Sequence, residues 1–323
     1  MRKREGRLGL LGLLALAVLQ AQAACASPQR PSDCGANGTA ALTGVSSSIT
    51  FACDLEPRGR YYNRDIFTIS PDGGPVRRLT SSYAQDVDPA WSPNGQALVF
   101  SSTRNGRLNV YSMGPDGRGL TRVTSALAQE FEPSWSPDGR LIVFASGRDG
   151  ASAPLGPRGL PSSLFTVRPD GSGLVRLTRT PSYDGDPTWA PNGSKIAFVS
   201  DRAGSSDVWI MNPDGSDQLR LTKTMDADDR PAWSPDSTRI AFSHGPDEDS
   251  SGIFVMDADG GRQHRLVPGE GREPAWSPDG RWIAFVSHRD GHPNIFVAAV
   301  DDSSLVQLTH DAAPKLRPAW RPL

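Results

Sequence analysis

Apolar residues beyond position 48 fall in short stretches separated by polar turns, and they do not form helical stripes. One representative unit has such stretches at 273–277, 282–287, 294–297 and 306–309. The first two are joined by Pro-Asp-Gly at 278–280. In such a turn proline fixes φ, aspartate accepts backbone hydrogen bonds and glycine takes the left-handed position. The pattern predicts a unit of four antiparallel strands.

This unit recurs along the chain, and each copy carries the phrase Pro-x-Trp. The six tryptophans are Trp91, Trp135, Trp189, Trp233, Trp276 and Trp320. They lie 44, 54, 44, 43 and 44 residues apart. A period near 44 with four strands per unit is typical of a propeller blade. The sequence therefore predicts an all-β fold over 49–323, a six-bladed β-propeller of four-stranded antiparallel blades, with the tryptophans packed between blades.

The two ends of this region predict how the ring closes. Residues 49–53 match a second strand, but no Pro-x-Trp phrase precedes them. The missing first strand is 316–321, at the far end of the chain. We therefore expect the C-terminal strand to join the N-terminal blade, which protects edge strands from aggregation.

Composition narrows the functional classes. Lys and Arg number 34 against 36 Asp and Glu, for a formal charge of −2. A sequence-independent nucleic-acid binder needs a strong positive charge, so we expect no nucleic-acid partner. We expect the ring to be a monomer.

The first residues predict export. An apolar run at 8–19 follows Arg2, Lys3, Arg4 and Arg7 and leads into small residues. This is typical of a secretory signal, here 1–24, and the run is too short for a membrane-spanning helix. Residues 25–48 are rich in Ser, Gly, Ala and Pro and predict a flexible tether.

Three cysteines leave one unpaired in an oxidising compartment. A lipid anchor on Cys25 would leave Cys34 and Cys53 to form a disulfide. The alternative is a Cys25–Cys34 disulfide with Cys53 buried and free. We expect a periplasmic protein or a membrane-tethered lipoprotein.

The repeated phrases resemble a known family. Trp-Ser-Pro-Asp/Asn-Gly, the Ile-Ala-Phe-x-Ser strand, the Pro-Asp-Gly hairpin and Arg-Leu-Thr are similar to the WD40-like PD40 repeats of TolB-like propellers. The resemblance implies a non-catalytic envelope scaffold whose channel mouth receives protein partners, including the lipoprotein Pal. TolB carries an α/β domain before its propeller, whereas only the tether precedes this one.

Strand direction assigns the variable loops to one side of the ring. The loops between second and third strands and the connections between blades share one face, here named the connection face. It receives the insertion at 150–163, the acidic loop at 247–249, and Tyr61 and Tyr62. Variable loops on a rigid frame are where binding residues usually lie, so we predict the binding site on this face.

Charged residues precede each Pro-x-Trp phrase and are expected at the channel mouth. They are Asp86, Asp88, Glu130, Glu132, Asp184, Asp186, Asp228, Arg230, Glu273 and Arg317, with Lys315 in the closing strand. Three successive blades are doubly acidic and the closing blade is basic, which predicts a mouth with an acidic side and a basic side. Such a mouth could orient a basic peptide or hold calcium through oxygen ligands. The alternative is a solvated charged rim without a ligand. Arg230, Arg317, Tyr61 and Tyr62 are the predicted anchors.

Histidines support an enzymatic alternative. His244, His288, His292 and His310 are expected on the same face, where imidazoles beside carboxylates could hold a transition metal, as in oligogalacturonate lyases. No Gly-x-Ser-x-Gly or His-Glu-x-x-His motif is present in the sequence. We predict a non-catalytic protein that binds a protein or peptide, with a metal-dependent, carbohydrate-active enzyme as the alternative.

Overall fold

The computed structural model describes residues 34, 47–55, 63–72, 74–148, 161–246, 251–302 and 304–323. The predicted signal at 1–24, the anchor Cys25, and Tyr61 and Tyr62 lie outside these residues. Within the described part, no helix is long and apolar enough to cross a membrane.

The described residues form 24 strands in six four-stranded antiparallel sheets. Blade 1 contains β1 (Ile49–Leu55), β2 (Asn63–Ile69), β3 (Arg77–Arg78) and, from the far end of the chain, β24 (Lys315–Trp320). Blade 2 contains β4 (Asp86–Trp91), β5 (Leu98–Ser102), β6 (Asn109–Met113) and β7 (Thr121–Arg122). Blade 3 contains β8 (Glu130–Trp135), β9 (Ile142–Ser146), β10 (Ser163–Val167) and β11 (Val175–Arg176).

Blades 4 to 6 repeat this order. Blade 4 contains β12 (Asp184–Trp189), β13 (Ile196–Ser200), β14 (Asp207–Met211) and β15 (Leu219–Arg220). Blade 5 contains β16 (Ala227–Trp233), β17 (Arg239–Gly245), β18 (Gly252–Asp257) and β19 (His264–Arg265). Blade 6 contains β20 (Arg272–Trp276), β21 (Trp282–Ser287), β22 (Asn294–Ala299) and β23 (Leu305–Gln307). The predicted six-bladed propeller is confirmed.

Ring closure is confirmed as well. In blade 1 the strand order is β24-β1-β2-β3, so the inner strand comes from the C-terminal end. The register pairs Ile49 with Trp320 and Cys53 with Lys315. Cys53 also forms a disulfide with Cys34, with a Cα–Cα distance of 6.4 Å. Lipidation of Cys25 stays a prediction.

The core of each blade is an aromatic pair across the second and third strands. Six phenylalanines of the second strands are fully or almost fully buried: Phe51, Phe100, Phe144, Phe198, Phe242 and Phe285. Each faces an aromatic ring of the third strand, with centroids 5.9–6.5 Å apart. Such pairs add about 0.5–1.5 kcal/mol beyond the buried area. Each blade therefore has its own packed aromatic core.

Tryptophans join one blade to the next. The indole N–H of Trp276 donates to the carbonyl oxygen of Ala232 at 3.1 Å, and that of Trp320 donates to Ala275 at 3.0 Å. In each case the acceptor is in the inner strand of the preceding blade. The repeated Pro-x-Trp phrase thus serves inter-blade packing.

Glycines in the outer hairpins also pack against neighbouring blades. Gly117 has φ of +83°, and a Cβ added there would lie 2.5 Å from the carbonyl oxygen of Leu79 in blade 1.

We expect Gly117→Ala to destabilise the ring by roughly 2–4 kcal/mol, because positive-φ strain and an inter-blade clash combine. Gly106→Ala is the matched control, because Gly106 has φ of +89° but no atom within 4 Å of the added Cβ. It should cost about 1 kcal/mol. Urea unfolding of both variants tests this, and equal losses would contradict the inter-blade contact.

Candidate functional site: the channel and its connection face

Six charged residues surround the central channel, one from each inner strand. They are Arg317, Asp88, Glu132, Asp186, Arg230 and Glu273, in blades 1 to 6, and are here named the channel ring. All six are among the predicted site residues. Together they line a channel cavity of about 270 Å³.

A bulge in each inner strand places these side chains. The pairing of inner and second strands shifts register at the channel-ring residue of all six blades. Each ring residue has a positive φ between 48° and 58° and precedes a proline. Non-glycine residues rarely adopt this conformation, and bulges of this kind redirect a side chain. The repeated strain shows that the fold holds these six positions in place.

Two arginines cross-link the four carboxylates. Arg317 lies 3.1 Å from Asp88, 2.9 Å from Glu132 and 3.0 Å from Asp186, which is in the opposite blade. Arg230 lies 2.8 Å from Glu132 and forms a second ion pair with Asp186. The expected separation into an acidic and a basic side of the mouth was wrong, because the long arginine side chains reach across the channel to the acidic blades.

Backbone hydrogen bonds link the channel ring from blade to blade. The N–H of Glu132 donates to Asp88 at 3.3 Å, that of Asp186 to Glu132 at 2.6 Å, and that of Arg317 to Glu273 at 2.6 Å. In each pair the carboxylate belongs to the preceding blade. These three hydrogen bonds and the ion pairs of the two arginines therefore tie inner strands to one another across the channel.

Burial changes the protonation of this network. Desolvation raises the pKa of Glu132 well above its ordinary value, the charges of Asp186 and Asp88 raise it further, and Arg230 opposes them. Desolvation likewise raises the pKa of Asp88, against Arg230. Both carboxyl groups thus take up protons more readily in the folded ring than in the unfolded chain.

We expect the difference in stability between wild type and Glu132→Gln to depend on pH, because the pKa of Glu132 is raised in the folded ring. A raised native pKa means that the stabilising contribution of the protonated group is present below the ordinary carboxyl pKa and is lost as the pH rises through the native value. Wild type should therefore gain free energy of unfolding relative to Glu132→Gln as the pH falls through the raised native pKa toward the ordinary carboxyl pKa. Urea titrations at several pH values measure the difference. A difference that stays constant or changes in the opposite direction would contradict it.

The other four predicted carboxylates lie elsewhere. Asp86, Glu130, Asp184 and Asp228 are fully buried at the start of their inner strands and are not among the residues that line the channel cavity. Asp86 lies 2.8 Å from Arg104 and Asp184 lies 2.8 Å from Arg202, while Glu130 pairs with Arg148. Asp228 lies 2.6 Å from His244. The prediction that these four face a partner at the mouth does not agree with their positions, since each is enclosed by its own blade.

A repeated signal marks these internal pairs. In blades 2 to 4 the arginine follows the carboxylate by 18 residues each time. The same arginines stack on the aromatic pair of the blade, as Arg104 does on Tyr111 at 4.8 Å. Identical spacing in several blades indicates a scaffold role, and the sequence already contains it.

The predicted histidines are not brought together as a metal site. His244 bonds Asp228, and His288 lies 3.1 Å from Glu270, in different blades. His292 and His310 are exposed. Within the described part of the chain, no group of three or more His, Cys, Asp or Glu side chains is arranged to hold a metal ion.

Large apolar side chains on the connection face were missed by the sequence reasoning. Tyr83, Leu127 and Met225 have 81%, 88% and 98% of their surface exposed. Each stands three residues before the first buried residue of the next inner strand. The equivalent residues Pro181 and Ala312 are exposed as well. Apolar residues thus recur around the face at equivalent positions of five of the blade connections.

Known proteins provide comparisons for this architecture. The family description "TolB beta propeller domain" (PD40) matches residues 46–153, 157–247 and 223–323. A curated relative, "Protein TolB homolog" from Chlorobium luteolum, is 28% identical over 145 residues, which are 45% of this chain and 30% of the relative. The match therefore spans less than a third of that relative's length.

Solved structures share the fold. TolB from Acinetobacter baumannii superposes with a TM-score of 0.71 at 21% identity, over 87% of this chain and 69% of that one. An oligogalacturonate lyase in complex with manganese superposes with a TM-score of 0.57 at 15% identity, over 77% and 72% of the two chains. At such identities the likeness concerns the fold alone. The family matches cover nearly the whole described region, and the chain belongs to the TolB β-propeller (PD40) family.

Proposed function

We propose that this protein is a non-catalytic, exported scaffold that binds a protein partner on its connection face, around the channel mouth. The observation that carries the proposal is the exposure of Leu127 and Met225, with Tyr83, on that face. Large apolar side chains that are exposed around a rigid frame often mark interaction surfaces. Aromatic and methionine side chains are enriched at interfaces.

The frame supports this proposal. Equivalent connections hold Tyr83, Leu127 and Met225 at a fixed spacing set by blades 2, 3 and 5. A partner that buries them together should lose little conformational entropy in ordering the loops, because the channel ring holds the inner strands that follow. The ring carboxylates are paired internally, so we assign them to steering and to the frame, and the apolar residues to contact energy.

Family membership suggests the kind of partner and place. We propose an envelope protein of the Pal type as partner, and a periplasmic or membrane-tethered location with Cys25 as lipid anchor. Tyr61 and Tyr62, which lie outside the described residues, remain proposed additional anchors.

Photocrosslinking from defined positions tests the proposal. A photoreactive residue at Leu127 or Met225 should crosslink one protein of defined mass in envelope extract. The matched control is Leu219, which is 54% exposed on the outer strand β15 of blade 4. Equal products from Leu219, or no product from Leu127 and Met225, would contradict the proposal.

A further inference from the structure

The channel cavity lies on the opposite side of the channel ring from the connection face. Its lining begins at the ring residues and continues along the inner strands to Trp189, Trp233 and Trp276 and to Pro191 in a first-to-second-strand turn. Inner strands start at the connection face and end at these turns. The cavity therefore extends toward the face formed by those turns, here named the turn face.

The cavity has a charged floor and mostly apolar walls. Its floor is the channel ring, with four carboxylates and two guanidinium groups. Its walls are built of the six prolines after the ring residues and of small side chains, here listed in blade order: Ala319, Ala90, Ser134, Thr188, Ala232 and Ala275. A volume of about 270 Å³ is below the range of drug-sized sites, so it suits one short chain.

The charge of the floor favours one kind of ligand head. Four carboxylates and two guanidinium groups leave two negative charges in excess when all are ionised. A cation reduces this excess in a site with low-dielectric walls, whereas an anion increases it. The apolar walls favour an alkyl chain behind the charge over a hydrated inorganic ion.

We infer that this cavity binds an organic cation, an alkylammonium or alkylguanidinium group, which enters from the turn face. Its head lies against Asp88, Glu132 and Glu273, and its alkyl chain packs on the prolines and alanines. This goes beyond the proposed function, which concerns the connection face.

Protonation of the floor gives the inference a pH dependence. Desolvation raises the pKa of Glu132 and Asp88. The charged or titratable groups around Glu132 are Asp88, Asp186, Arg230, Arg317 and Tyr183. A bound cation favours the ionised carboxylates, so binding should release protons and weaken as the pH falls.

Isosteric probes test the inference on the full chain. Butylammonium and butylguanidinium should bind with dissociation constants on the order of 1 mM, measured by calorimetry and by the fluorescence of the lining tryptophans. Butanol and butyrate should bind at least about tenfold more weakly. Equal binding of butanol, or preferred binding of butyrate to the arginines, would overturn the inference without any variant.

Cavity-filling variants locate the site. Ala232→Leu and Thr188→Leu should each weaken butylammonium binding at least about tenfold, because leucine occupies the space of the alkyl chain. Ala312→Leu is the matched control, because Ala312 is exposed in the connection between blades 6 and 1. Unchanged binding in a folded Ala232→Leu or Thr188→Leu variant would overturn the assignment.

A comparison of two peptides distinguishes between two possible sources of the cation, a peptide side chain and a small amine. Gly-Gly-Arg is compared with Gly-Gly-citrulline, which has the same shape without the charge. Tighter binding of the arginine peptide than of butylguanidinium identifies a basic peptide side chain as the ligand. Binding of the free cations alone identifies a small amine. Equal binding of the two peptides would contradict recognition of the charge.

Discussion

Deletion of residues 316–323 is expected to leave the chain unfolded at 25 °C. The deletion removes nearly all of β24, the inner strand of blade 1. It exposes the edge of β1 and removes Trp320, which is buried and bonded to Ala275 of blade 6. A buried tryptophan contributes about 3–5 kcal/mol, and the whole domain is stable by only about 5–15 kcal/mol.

Far-UV circular dichroism and a thermal scan measure this result. The matched control removes only Pro322 and Leu323, which follow β24, and keeps the bond from the N–H of Arg321 to the carbonyl oxygen of Ser48 at 2.8 Å. This shorter deletion should melt within a few degrees of wild type. A 316–323 deletion that melts like wild type would contradict closure of the ring by the C-terminal strand.

Arg317→Met is expected to destabilise the ring by about 3–5 kcal/mol, because it removes one of the two guanidinium groups that pair with the buried carboxylates. Arg317 contacts ring residues of blades 2, 3, 4 and 6, and its side chain is only 21% exposed. For a domain of this size the melting temperature should fall by roughly 6–20 °C. Because the ion pairs are buried, added salt should change the loss little.

A control variant near the same end of the chain distinguishes loss of the channel-ring ion pairs from a non-specific loss of stability. Arg321 stacks its guanidinium 5.0 Å from the centroid of Trp91 and donates to Gly95, outside the channel ring. Arg321→Met should cost about 1 kcal/mol. Asp186→Asn should also lower the free energy of unfolding less in the Arg317→Met background than in wild type, because Asp186 and Arg317 form an ion pair with each other. Equal losses for the two arginine variants, with additive effects of Asp186→Asn, would show that the channel ring is not a cooperative network.

The fold was predictable because its signals repeat. The Pro-x-Trp phrase and the Pro-Asp-Gly turns have the period of a blade, and the absence of a phrase before residue 49 already assigned the closing strand. Each strand and turn of the blade is indicated by a sequence pattern that recurs in the other blades. Irregular features of single blades do not have this support.

The channel ring was predictable in position but not in contacts. The residue immediately before each Pro-x-Trp phrase lies beside the channel, as expected, but the sequence does not say how far its side chain reaches. Arg317 therefore crosses to Asp186, where a separate basic side was expected. Asp86 and Asp184 were expected at the mouth because charged side chains are usually exposed, but each pairs with an arginine 18 residues later.

The apolar residues of the connection face were not predicted for a related reason. Charge and unusual length distinguish a connection in the sequence, whereas single apolar residues in loops are common on protein surfaces. Only the alignment of Leu127 and Met225 at equivalent connections, together with their exposure, separates them from that background.

Binding of the crosslinked partner to purified variants tests the central claim most directly. Leu127→Ser with Met225→Ser should weaken the partner's affinity by about a hundredfold, since each is expected to act as a hot spot. Leu219→Ser, on the outer strand of blade 4, should leave the affinity within about twofold of wild type. Unchanged affinity in the Leu127 and Met225 variant, or an equal loss in Leu219→Ser, would contradict partner binding on the connection face.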